Sequence, residues 1–178
     1  MKKQFDPKIH HRRSIRLKGY DYAQSGFYFI TTVVKSRTCL FGKIEDGKMI
    51  LNPAGDMIAE EWLKLKSRFL NIELHESVVM PNHFHGILEI LPLQLTDLEE
   101  SAEKTDNKTL GEMIGAFESI TTVEYIRGVK TKNWTRFEWK LWQRNYWEHI
   151  IRSERSFWKI ANYIIDNPKN WEDDKFFT

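Results

Sequence analysis

His83 and His85 are the residues of this sequence whose type and spacing most directly suggest chemistry. Side chains alternate along a strand, so both imidazoles would project to one face while Phe84, Leu88 and Ile90 take the other. Two imidazoles on one face can share a metal ion, but they leave it short of ligands. Asn82, at the end of the preceding turn, is expected to be exposed. Gly86 removes a side chain where another backbone or a phosphate could approach. A bare His-x-His arises by chance on many strands, so its meaning depends on what else can reach the pair.

A tyrosine and a carboxamide near the C-terminus could supply the missing groups. Of the six tyrosines, only Tyr20 and Tyr163 have a carboxamide residue four positions later, Gln24 and Asn167 respectively. Tyr20 lies in a segment without helical pattern, and Tyr146 lies in a strand-like run. At about 100° per residue, Phe157, Ile160 and Ile164 form one apolar helix face, with Asn167 roughly 55° and Tyr163 roughly 95° from its centre. Lys159, Tyr163 and Asn167 then form one stripe. If this helix crosses the histidine face, Asn167 can offer its amide oxygen to an ion and Tyr163 can aim its hydroxyl at a phosphate. A phenol with a pKa near 10 is a poor nucleophile until a cation polarises its target. A tyrosine ester of a 5′ phosphate would conserve the energy of the broken linkage, allowing a free 3′ hydroxyl to rejoin the strand.

The surrounding pattern must position these groups. Residues 27–35 (FYFITTVVK) are aromatic and β-branched and predict a first strand. Asp46 and Gly47 predict a hairpin turn, with 48–51 returning. Helical spacing covers 53–69, capped by Asn52 with Pro53 at the first position. Residues 72–79 and 83–91 predict an antiparallel hairpin around Met80, Pro81 and Asn82. A second long helix is expected over 110–129, an aromatic extended run over 139–151, and a third helix from the Ser153 cap to about Asn167. This order implies an α+β domain with an antiparallel sheet covered by helices.

Bulk properties set the remaining bounds. The 178 residues, 41% of them hydrophobic, fit one domain over 1–178. No apolar run is long enough to span a membrane and no secretory signal is present, which predicts a cytoplasmic protein. The single cysteine, Cys39, is expected to be a buried apolar residue. The net charge of +2 is small but unevenly spread, with a basic arm over 1–20 and an acidic variable loop over 92–107. That asymmetry suits a polyanion bound on one side.

Four segments, RRSIRLKGYDY (12–22), VVMPNHFHGIL (78–88), LWQRNYWEHIIR (141–152) and YIIDNP (163–168), together resemble the REP-associated tyrosine transposases. These are relatives of the smallest insertion-sequence transposases within the single-tyrosine HUH nucleases. The resemblance implies a ferredoxin-like fold, a His-hydrophobic-His motif at His83, Phe84 and His85, a nucleophile at Tyr163 and a third metal ligand at Asn167. It also implies magnesium or manganese as cofactor and single-stranded hairpin DNA as partner, with association with the nucleoid and a monomeric or homodimeric state. Arg12, Arg13, Arg16, Lys18 and Arg144 are the candidate phosphate contacts, and Trp142, Tyr146 and Trp147 are candidate stacking surfaces. Glu118 stands where the family commonly has lysine, which weakens the case for a DNA contact there. The expected activity is metal-dependent cleavage and rejoining of hairpin DNA through a 5′-phosphotyrosine. The alternatives are a catalytically inactive hairpin DNA- or RNA-binding module and a zinc hydrolase of small substrates.

Overall fold

The computed structural model describes residues 16–92 and 108–178. In chain order it contains β1 (Gly26–Val33), β2 (Gly42–Glu45), β3 (Lys48–Leu51), α1 (Pro53–Leu63), α2 (Leu65–Arg68), β4 (Ile72–Met80), β5 (His83–Ile90), α3 (Leu110–Thr131), β6 (Trp147–Ile151), α4 (Glu154–Asp166) and a 3-10 turn (Asn167–Asp173). The main sheet has the order β4-β5-β1-β6, with every neighbouring pair antiparallel. Both connections that carry long helices skip one strand, which is the ferredoxin-like topology that the family resemblance implies. The β2–β3 hairpin is an insertion between β1 and α1. Its turn places Asp46 and Gly47 at φ 50° and 69°, as a two-residue hairpin turn requires.

Alternation along the strands divides the sheet into two faces. On one face, Tyr28, Ile30, Phe84 and Leu88 pack under α1 and α3 in the main core. There the rings of Trp62, Phe84 and Phe117 meet at centroid distances of 4.7 to 5.5 Å. On the other face, α4 lays Ala161 and Ile164 over Ile87 and Ile151, with Phe27, Phe29 and Phe157 around them. The final helix therefore covers the histidine side of β5.

Several boundaries differ from expectation. The helix expected over 53–69 divides at Lys64 into α1 and α2. Only Trp147–Ile151 of the 139–151 run forms a strand, although Trp142 makes an isolated bridge to Val34. Asn82 is fully buried, contrary to expectation, because its side chain bonds several neighbours. Cys39 is exposed instead of buried, since it lies in the connection after β1, with Sγ 3.9 Å from Thr178 Oγ1. Gly86 is explained by the core: a Cβ there would stand 2.7 Å from Trp62 Cζ2, on the face away from the histidines.

Among the described residues, no helix is long and apolar enough to cross a membrane.

Candidate active site

His83 and His85 project from β5 under α4, with ring centroids 4.6 Å apart and almost no solvent exposure. Each ring is held from behind at Nδ1. The Asn82 amide donates from Nδ2 to the carbonyls of Arg37 and Phe176, both at 2.8 Å, and this fixes which way the amide points. Its oxygen must then accept from His83 Nδ1, 2.9 Å away, leaving His83 Nε2 with an unshared lone pair. Thr31 Oγ1 lies 2.7 Å from His85 Nδ1, and His85 Nε2 faces the Tyr163 hydroxyl at 3.4 Å. Fixing one ring nitrogen so that the other is free is how metal-binding histidines are commonly oriented.

The C-terminal segment closes the space. Tyr163 is half-exposed on α4, its ring 5.4 Å from His85 and 6.1 Å from Phe29 by centroids. Asn167, at the junction of α4 and the 3-10 turn, is buried with no partner for Oδ1, while its Nδ2 donates to Asp174 Oδ2 at 3.3 Å. The Tyr163 hydroxyl donates to the same Asp174 oxygen at 3.3 Å. Ligand atoms of His83, His85 and Asp174 all lie within 4.8 Å of one another. His83 Nε2 and Asn167 Oδ1 are both buried without a hydrogen-bond partner, a cost of roughly 1–3 kcal/mol each that a bound cation would remove.

Electrostatics follow from burial. Desolvation pushes His83 down to about 4 despite the opposing Asp174 carboxylate, and His85 falls well below its ordinary value. Both imidazoles are therefore neutral and able to coordinate at physiological pH. Burial, reinforced by Asp174, pushes the Tyr163 phenol up to about 12, so it needs help to act as a nucleophile.

The four residues expected from the sequence thus converge in one place, joined by Asp174, which sequence reasoning missed. Asp174 follows two other acids, Glu172 and Asp173, and nothing in their spacing singles it out. The expected DNA contacts are more scattered. Arg12 and Arg13 lie outside the described residues. Arg16 stacks over Tyr146 at 4.2 Å and lies 3.7 Å from Glu148, on the sheet face opposite the histidines. Glu118 belongs to the same group of charges; burial pushes its carboxyl up to about 7 against the pull of Arg16. Lys18 and Arg144 are exposed. Among the candidate stacking rings, Trp142 and Tyr146 are buried, whereas Trp147 is half-exposed and sits opposite Thr31 on the histidine face.

The fold has a counterpart among known proteins. A solved REP-associated tyrosine transposase bound to a REP hairpin superposes with a TM-score of 0.59 at 19% identity, covering 92% of this chain and 77% of that one. The resemblance carried by the four sequence segments is therefore borne out: the chain has the fold of the REP-associated tyrosine transposases. No family model matches it. A Haemophilus influenzae protein described only as uncharacterized is 41% identical, with 99% of each chain covered. Another protein of that organism, which carries the provisional name REP-associated tyrosine transposase, is 22% identical over 83% of this chain and 73% of its own length.

Proposed function

We propose that this protein is a metal-dependent single-strand DNA endonuclease of the transposase kind, cutting and rejoining hairpin DNA through a tyrosine intermediate. The observation that carries the reading is the Tyr163 hydroxyl, 3.4 Å from His85 Nε2, beside two buried atoms without partners, His83 Nε2 and Asn167 Oδ1. The REP hairpin bound to the structural neighbour supports hairpin DNA as the substrate.

His83, His85 and Asn167 would hold a divalent ion, with an Asp174 oxygen within reach. Two imidazoles with oxygen ligands suit manganese or another transition ion better than magnesium, which prefers oxygen alone. When bound, the ion would polarise the scissile phosphate and stabilise its developing charge. The Tyr163 oxygen attacks phosphorus, its proton passes to Asp174 Oδ2, and the bond from phosphorus to the 3′ oxygen breaks. The departing 3′ oxygen takes a proton from water and Asp174 returns the phenol proton to solvent, leaving a 5′ phosphate esterified to Tyr163 and a free 3′ hydroxyl. Attack by a 3′ hydroxyl on that ester reverses the chemistry and joins strands without a nucleotide cofactor. Asn82 and Thr31 are positioning residues that fix the two rings.

The test is incubation with stem-loop oligonucleotides and manganese or magnesium. Wild type is expected to give a slowly migrating protein–DNA band, and Tyr163→Phe and His83→Ala are expected to give none. Binding without any cleavage in the wild type would favour the inactive binding module.

A further inference from the structure

Trp139 is 95% exposed, and its backbone has φ 62°, a conformation that bulky residues rarely adopt. The amide of Lys140 donates to the carbonyl of Glu138 at 2.7 Å, so Trp139 occupies the centre of a γ-turn with positive φ, a rare and strained form. The turn therefore holds a large apolar ring out in water at a cost in backbone strain. No ring contact or hydrogen bond of the indole offsets that cost among the described residues.

The position of this turn suggests what the ring meets. Backbone bonds from Lys35 to Leu141 and from Gln143 to Val33, both at 2.8 Å, tie the segment to the end of β1, where Val33 pairs with His83. Trp139 also lines a cavity of about 380 Å³ with Lys140, Arg144, Ser119, Thr122 and Glu118. That volume is at the small end of the usual range for small-molecule pockets. From 134 to 144 the chain carries Arg136, Lys140 and Arg144 against Glu138 alone. An exposed indole among cations, in a cavity walled by α3 on the sheet face away from the histidines, has the composition of a single-strand stacking platform.

We infer that Trp139 stacks on an unpaired base in the single strand flanking the hairpin, with Lys140 and Arg144 beside the adjoining phosphates. This rests on the hairpin DNA reading above, but it concerns binding and not cleavage.

The test measures anisotropy of a labelled stem-loop DNA with six-nucleotide single-stranded tails, and of the same stem-loop without tails, using the full chain carrying Tyr163→Phe so that no cleavage intervenes. Adding Trp139→Ala is expected to weaken tailed binding about tenfold or more. Trp139→Phe is expected to retain most of the affinity, and binding of the tailless stem to be unchanged by either. Trp139→Gly should weaken tailed binding equally while leaving Tm unchanged or higher, because glycine relieves the positive φ. Equal tailed binding with and without Trp139→Ala would overturn the inference and leave the hairpin reading standing. A fall of several degrees in Tm for Trp139→Gly, or loss of self-association in sedimentation without any change in DNA binding, would assign the ring to folding or to a second copy and overturn it as well. Tail-dependent binding through Trp139 in a wild type that never cleaves would uphold this inference and sink the nuclease reading.

Discussion

Asp174 Oδ2 accepts a hydrogen bond from the Tyr163 hydroxyl at 3.3 Å, joining the C-terminal segment to the one tyrosine that faces His85. The carboxylate disfavours ionisation of the phenol and is also the nearest group to receive its proton. Asp174→Asn should therefore move the Tyr163 phenol down from about 12 toward its ordinary value while slowing cleavage, by about a hundredfold if the carboxylate acts as base. Alkaline absorbance titration, with Tyr163→Phe to assign the signal, combined with single-turnover cleavage checks both effects.

Asn82 is the anchor of the His83 ring. Asn82→Ala removes the acceptor for His83 Nδ1 and the donor shared by two carbonyls. Manganese affinity is expected to fall roughly ten- to a hundredfold, and stability by about 2–4 kcal/mol. Calorimetric metal titration and urea unfolding would report these two losses separately.

Gly86 tests the division of the sheet into two faces. A methyl group there enters the space of Trp62 and Phe84 and should cost about 1–3 kcal/mol in urea unfolding. Because that crowding lies on the core side, the folded Gly86→Ala protein should bind manganese with near wild-type affinity. A glycine kept for phosphate approach would give the reverse result, with intact stability and lost binding.

Acid should destabilise the fold through the buried histidines. The unfolded chain takes up protons near the ordinary value of 6.5, whereas folded His83 resists until about 4. Its contribution is therefore complete above 6.5 and is lost as pH falls toward 4. Between pH 7 and pH 5 the loss for His83 alone is on the order of 2 kcal/mol. Urea midpoints at the two pH values should show it, and His83→Gln should reduce the difference.

The sequence was most informative where one residue type has one structural use. Alternation from His83 to Ile90 defined both faces of β5, Asp46 and Gly47 located the hairpin turn, and the four-residue step from Tyr163 to Asn167 put both groups on the helix edge that meets the histidines. It was least informative where tertiary contacts decide. Asn82 looks like a polar turn residue until two carbonyls from distant segments reach it, and Asp174 looks like one of three consecutive acids until the 3-10 turn folds it back. Arg16 looks like part of a basic arm, yet Glu148 and Tyr146, more than a hundred residues later, set its place. Trp139 gave no sign of its exposure because the positive φ that expels its ring is not written in its residue type.

The covalent linkage itself is the most direct measure of the central claim. A stem-loop substrate is reacted with the wild-type protein and manganese, the adduct is digested with protease, and the nucleotide-bearing peptide is sequenced by mass spectrometry. The account predicts a 5′ phosphodiester on Tyr163 and a released fragment whose 3′ hydroxyl a polymerase can extend. A nucleotide found on any other residue, or an adduct that persists in Tyr163→Phe, would contradict it.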